Sequence, residues 1–292
     1  MPTRRRIALP HGWVSALEWL PDGEPRTTVV LLHGAGYDNA TLSWAQTGAA
    51  LAAAGCRVVA PELPGFGASP PSDLDGSLAS LVRHTADVVE ALDLDEHVVG
   101  GLSLGGGIAL GYALERPAGL RGVMALGSYG IMPRLRTGPL ALPTQLLMWA
   151  MTRTGPIDGL FRWYARDERR MRRSIAQIVR TPANVTDALV ADAVAEGVQG
   201  TSLRITSAFQ RSEVLPTRQR TDHTPLLASL AVPALLVHGT HDVGVAVEHA
   251  RTAAARIPDA TLLVVDDGGH WIQRDRPDLV HPAMLAFVER VA

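Results

Sequence analysis

The chain contains no lysine: all 27 of its basic residues are arginine. That excludes a Schiff-base amine and any phosphate loop that depends on a lysine ammonium. Cysteine occurs once, as Cys56, so no intramolecular disulfide can form, and no cysteine–histidine cluster has zinc spacing. No metal site is expected. This usage fits a reducing compartment, and the expected location is cytoplasmic. Long apolar runs are missing as well: the longest candidates, such as residues 146–151, fall far short of the roughly 20 residues that a bilayer-spanning helix needs. Arg4, Arg5 and Arg6 open the chain like a leader sequence, but Pro10, His11 and Gly12 interrupt the apolar stretch behind them, so the segment reads as mature protein. Charge of one sign is lacking too. With a formal net charge of −2 and 19% charged residues, no global field would draw the molecule onto nucleic acid or a membrane. A small molecule is the expected partner; the composition does not bear on oligomeric state.

The 292 residues are 47% hydrophobic, which is enough for a sizeable core. Short β-branched runs alternate with longer stretches of helical period, the pattern of a mostly parallel sheet flanked by helices. Strands are predicted at 5–9 and 14–20 as an antiparallel edge, then at 27–34, 57–61, 97–100, 122–126, 233–239 and 261–265. Helices are predicted up to about residue 55, over 78–92 and 104–115, and from residue 277 onward. Between 126 and 233 the alternation lapses. Residues 131–222 carry 14 Arg against 8 Asp and Glu, unlike the acidic remainder. We read residues 1–130 and 224–292 as one core domain, and 131–223 as a helical lid inserted after the sixth core strand. Its arginines fit best as solvated faces of amphipathic helices, with pairing to a substrate carboxylate as the minority reading.

The pentapeptide GLSLG, Gly101 to Gly105, sits where a predicted buried strand meets a predicted helix. A serine hydroxyl is a weak nucleophile, so covalent catalysis needs it held clear of the core and near a base. Glycines at 101 and 105 allow a sharp strand-to-helix turn that projects Ser103, and the following helix directs its first amide, that of Leu104, toward a developing oxyanion. With 28 glycines in the chain such a pentapeptide can arise by chance, so its strand–turn–helix context carries the argument.

Over nearly its whole length the sequence now resembles the α/β-hydrolase fold family. LLHGAG at 31–36 looks like the family's oxyanion loop, PELPGFGAS at 61–69 like the loop after the next strand, and HGTHD and GGHW like the loops bearing the acid and the histidine. The general base needs a pKa near neutrality, and His270 follows the last predicted strand between glycines and Trp271. The acid should orient that histidine and fall between serine and histidine in chain order; Asp242 fits, whereas Asp266 and Asp267 lie so close to His270 that they more plausibly shape its loop. His241 would break the chain order, and His33 is expected to tie the oxyanion loop by hydrogen bonds. The amide of Ala35 is the candidate for the second oxyanion donor.

Serine as nucleophile points to acyl transfer, since the family's haloalkane dehalogenases and epoxide hydrolases place aspartate there. The leading expectation is hydrolysis of a small carboxylic ester or lactone without a cofactor. The alternatives are a carbon–carbon bond hydrolase acting on a β-diketone or ring-cleavage product, or a thioesterase. Against the carbon–carbon reading stands the loop sequence GAGYDN, where such hydrolases often continue as Gly-x-Gly-Pro-Gly. A reading from another class is a hydrolase-like ligand receptor with little turnover. Trp149, Phe161, Trp163, Tyr164 and Trp271 are candidates to line an apolar substrate pocket, although lid aromatics at helical spacing more often pack the lid's own core.

Overall fold

The computed structural model describes residues 1–292. Its strands are β1 (Thr3–Leu9), β2 (Gly12–Trp19), β3 (Thr28–Leu32), β4 (Arg57–Pro61), β5 (His97–Leu102), β6 (Leu120–Leu126), β7 (Ala234–Gly239) and β8 (Ala260–Val265). They form one sheet in the order β1-β2-β4-β3-β5-β6-β7-β8. Pairing is antiparallel from β1 to β2 and from β2 to β4, and parallel in every other pair. This is the α/β-hydrolase fold.

The helices are α1 (Ala40–Ala53), α2 (Leu78–Ala91), α3 (Leu104–Leu114), α4 (Ala141–Thr154), α5 (Pro156–Ala165), α6 (Glu168–Ile178), α7 (Asp187–Gln199), α8 (Thr201–Glu213), α9 (Val247–Ala254), α10 (Ile272–Asp275) and α11 (Pro277–Val291). The central strands are apolar on both faces because both are covered. Along β3, Val30 and Leu32 enter one buried cluster with residues of α2, α3 and α9, while Val29 and Leu31 enter the other with residues of α1 and α11. The period of two that sends successive side chains to opposite faces thus builds two cores from one strand. Asn39 caps α1 by accepting from the Leu42 amide (2.9 Å), which fixes where the loop after β3 ends.

Strand β4 lies on one side of β3 and β5 on the other, so the chain reverses its direction of sheet growth there. The loops leaving the carboxyl ends of β3 and β5 therefore diverge and leave a crevice between them, the usual position of a site in an open α/β sheet. Five helices, α4 to α8, fall between β6 and β7. No helix is long and apolar enough to cross a membrane.

Candidate active site

Ser103 occupies the single-residue join between β5 and α3 with φ 53° and ψ −115°, a conformation that L side chains seldom adopt and that costs on the order of 1–3 kcal/mol. Three backbone hydrogen bonds hold it there: its amide donates to Leu126 O (2.9 Å), and its carbonyl accepts from Gly107 (3.1 Å) and Tyr129 (2.9 Å). The flanking glycines are required by close approach. A Cβ on Gly105 would stand 2.2 Å from Leu32 O, and one on Gly101 would stand 2.2 Å from the Gly105 carbonyl.

Two loops at the same end of the sheet bring the other expected residues to one place. Asp242 follows β7 and His270 follows β8, and His270 Nδ1 lies 2.8 Å from both carboxylate oxygens of Asp242. The Asp242 side chain is fully buried and also accepts the amides of Gly244 (2.7 Å) and Val245 (2.9 Å). Burial opposes its ionisation, yet the neighbouring His270 and the hydrogen bonds from His270 and His238 hold its carboxyl well below the usual carboxylate range. Burial pulls His270 down, but the Asp242 charge and hydrogen bond, with Asp38 adding, leave its pKa above that of a free imidazole. With Nδ1 engaged by the carboxylate, Nε2 is the nitrogen available to a proton from the cavity side. The Ser103 hydroxyl itself makes no hydrogen bond to protein. Asp267 instead pairs at 3.5 Å with His241, on the exposed surface.

The loop after β3 shows a selective use of its amides. Gly34 N–H donates to Asp38 Oδ2 (2.6 Å) and Gly36 N–H donates to Thr206 Oγ1 (2.8 Å), whereas the Ala35 amide between them has no protein acceptor. The Leu104 amide, at the first position of α3, has none either. His33 Nε2 accepts the Leu63 amide (3.0 Å), which leaves its Nδ1–H to donate to Gly34 O (2.7 Å). The imidazole thereby ties the loops after β3 and β4 together.

A cavity of about 320 Å³ joins these parts, walled by Ala35, Ser103 and His270 from the sheet side and by Phe161, Ile175 and Gln210 from the inserted helices. The pocket candidates divide. Phe161 and Trp271 line it, while Trp149, Trp163 and Tyr164 do not. Trp163 is two residues from Phe161 on α5 and so projects from the opposite side of the helix; it is 46% exposed and stacks edge-on against Tyr164 with Arg170 over its ring. No arginine reaches the cavity wall, so the minority reading, a lid arginine paired with a substrate carboxylate, has no residue there to make it.

Three contributors were not singled out from sequence. Asp38, 3% exposed, lines the cavity. His238, inside β7, sets its Nε2 3.2 Å from Asp242 Oδ2. Asp275, fully buried, accepts the Gly269 amide (2.6 Å) beside His270 and the Thr181 amide (2.7 Å) from the insert. Nearby, Trp271 N–H donates to Ile178 O (2.9 Å). The only sequence signals were polar residues in apolar surroundings: His238 within a strand, and Asp38 next to a helix cap.

A family model described as alpha/beta hydrolase fold matches residues 27–277. Among curated proteins, the chain is 27% identical over 266 residues to a 2-hydroxy-6-oxononadienedioate/2-hydroxy-6-oxononatrienedioate hydrolase of Dechloromonas aromatica, covering 89% of this chain and 86% of that one. It is 31% identical to a 2-hydroxymuconate semialdehyde hydrolase of Pseudomonas putida, covering 74% and 71% respectively. A solved 2-hydroxy-6-oxo-6-phenylhexa-2,4-dienoate hydrolase from Rhodococcus sp. strain RHA1 superposes with a TM-score of 0.75 at 24% identity, covering 99% of this chain and 100% of that one.

Proposed function

We propose that this chain, which belongs to the α/β-hydrolase fold family, is a serine hydrolase that cleaves the carbon–carbon bond beside a ketone in a small β-diketone or ring-cleavage product. The observation that carries the reading is the meeting, on one cavity wall, of a strained Ser103, an imidazole held by a buried carboxylate, and an oxyanion loop whose Ala35 amide is unclaimed. The names of the relatives support the bond type and favour it over the ester that the sequence alone put first.

In this reading Ser103 Oγ adds to the ketone carbon as its proton passes to His270 Nε2. Asp242 keeps Nδ1 protonated and stabilises the imidazolium. The amides of Ala35 and Leu104 receive the oxyanion; preorganised donors of this kind are worth about 3–4 kcal/mol each where one has been removed from an enzyme. Collapse breaks the carbon–carbon bond, and its electron pair leaves as an enolate shared with the second carbonyl. His270 returns the proton to the enolate carbon. Water, deprotonated by His270, then releases a carboxylic acid and restores Ser103. Residues 131–223 act as a lid over the cavity, and residues 1–130 with 224–292 as the core that holds the chemistry.

A second reading, hydrolysis of a small carboxylic ester or lactone by the same residues, is favoured by the loop Gly34-Ala35-Gly36-Tyr37-Asp38-Asn39, which lacks the Gly-x-Gly-Pro-Gly continuation. Incubation with an uncharged β-diketone and a matched aryl ester, with product analysis and a fluorophosphonate probe, separates the readings. Ser103 labelling with turnover of the diketone supports carbon–carbon cleavage, and turnover of the ester alone supports the second reading. Labelling without turnover of either supports a receptor, and absence of labelling removes the nucleophile.

A further inference from the structure

The cavity that receives substrate contains a carboxylate and no cation to oppose one on the substrate. Its ionisable side chains, apart from His270, are Tyr37 and Asp38, and none of the chain's 27 arginines lines it. Tyr37 is neutral: burial, with Tyr164 adding, pushes its phenol further up from the ordinary range. Asp38 is held as an acceptor on both oxygens. Oδ2 accepts the Gly34 amide (2.6 Å) and the Ser43 hydroxyl (2.6 Å), and Oδ1 accepts the Asn39 amide (2.8 Å). Ser43 Oγ in turn receives the Trp271 indole N–H (3.2 Å), so its own hydrogen is directed to Asp38. Burial raises its pKa, opposed by the neighbouring His33 and by the Ser43, Gly34 and Asn39 hydrogen bonds; because every one of its hydrogen-bond partners is a donor, the geometry places the side chain as a carboxylate. It also stands close to the nucleophile: the point where a Gly34 Cβ would lie is 3.0 Å from Asp38 Oδ2 and 3.5 Å from Ser103 Cβ.

We propose that the cavity is a charge filter which admits uncharged acyl substrates and rejects those bearing a carboxylate, with Asp38 as the residue that enforces the rejection. The inference rests on the serine-hydrolase reading above and narrows it to uncharged diketones or esters, setting aside carboxylate-bearing ring-cleavage products such as the dioates in the relatives' names. An anionic group entering the chamber would lose its water, meet a like charge, and find no cation in compensation. A neutral polar group does find partners, because the Ser174 hydroxyl and the Gln210 amide line the wall and make no hydrogen bond to protein. Phe161, Ile175, Ile178 and Ala193 supply apolar surface for the remainder of the acyl group.

The test uses two p-nitrophenyl esters of one chain length, the monoester of adipic acid and its terminal amide, which differ in charge and scarcely in shape. For the unaltered protein the amide is expected to exceed the acid in kcat/KM by about a hundredfold or more, the size of a like-charge penalty of a few kcal/mol. Asp38→Asn is expected to shrink that ratio by about tenfold or more. The ratio is the readout, since Asp38 also braces the oxyanion loop and both esters feel that loss. Gln210→Arg, at a partly exposed position on the cavity wall, is expected to raise kcat/KM for the acid by about tenfold and so keeps the test decisive if Asp38→Asn fails to fold. A ratio near one in the unaltered protein, a ratio that Asp38→Asn leaves unchanged, or no gain for the acid in Gln210→Arg overturns the filter. Fluorophosphonate labelling of Ser103 in the same preparations distinguishes the two failures: labelled protein with equal rates sinks only the filter, and unlabelled protein sinks the serine-hydrolase reading beneath it.

Discussion

His238 Nε2 stands 3.2 Å from Asp242 Oδ2, so the carboxylate that holds His270 is itself gripped from inside the sheet. The same nitrogen lies 2.9 Å from Val245 O, and only a protonated Nε2 can donate to a carbonyl, which fixes the tautomer. The acid is thus oriented by an imidazole on one side and presents itself to another.

Replacing His238 by alanine removes a hydrogen bond to a buried charge, an expected loss of about 1.5–3 kcal/mol in urea unfolding before any cavity cost. Turnover is expected to fall roughly tenfold with little change in KM, because the loss disturbs the orientation of Asp242 and leaves the cavity wall intact. His238→Gln, which retains a donor, should recover part of both; equal damage from the two variants would show that volume alone matters.

The acid limb of kcat/KM should lie above the ordinary imidazole value of about 6.5. The base must be neutral to accept the Ser103 proton, and although burial lowers the His270 pKa, the Asp242 charge and hydrogen bond more than offset it. Raising the pKa means that protonated, inactive imidazolium persists to higher pH. Asp242→Asn leaves burial less opposed, so the limb should move downward while the rate falls by roughly 10⁴. A pH–rate profile of the two proteins checks the direction of movement.

Ser103→Gly is expected to abolish turnover and yet raise stability. Ser103 sits at φ 53°, which glycine adopts without steric penalty, and relief of about 1–3 kcal/mol of strain exceeds the roughly 0.5–1 kcal/mol that glycine's extra unfolded-state freedom costs. Calorimetry of both proteins measures the sign, and a lower melting temperature for the glycine variant would contradict the stored strain.

Gly105→Ala should be far more damaging than its size suggests. The new methyl would fall 2.2 Å from Leu32 O and 2.6 Å from His33 O, both backbone atoms that cannot rotate aside. A loss of at least about 3 kcal/mol is expected, with no Ser103 labelling in whatever protein folds.

The central strands β3 to β7 were legible because strands covered on both faces are uninterrupted apolar runs bounded by turn residues, and β1 and β2 because a Pro-His-Gly turn separates two short runs. β5 extends two residues beyond its expected end because Gly101 and Leu102 stay in register with Leu32 and Leu126, a pairing that depends on neighbours far away in sequence. Helix α9, only eight residues long and built largely from small or charged side chains, has too little periodicity to announce itself. At the site, glycine placement around Ser103 and the chain order of the resembled family pointed to Ser103, Asp242 and His270, and the structure sets Asp242 beside His270 and His270 with Ser103 on one cavity wall. Asp38 was not found: beside Asn39 it reads as part of a helix cap, and its contact with Gly34 exists only once the loop has curled. The lid aromatics were ambiguous for a similar reason, since Phe161 and Trp163 share composition and differ only in the side of α5 they occupy.

The Trp271 amide to Ile178 and the Thr181 amide to Asp275 stitch the base-bearing loop to the far end of α6. The aim of the imidazole is therefore set from two sides, by the Asp242 carboxylate and by the seating of α6 against its loop, so a change at the end of that helix is felt at His270 without touching it.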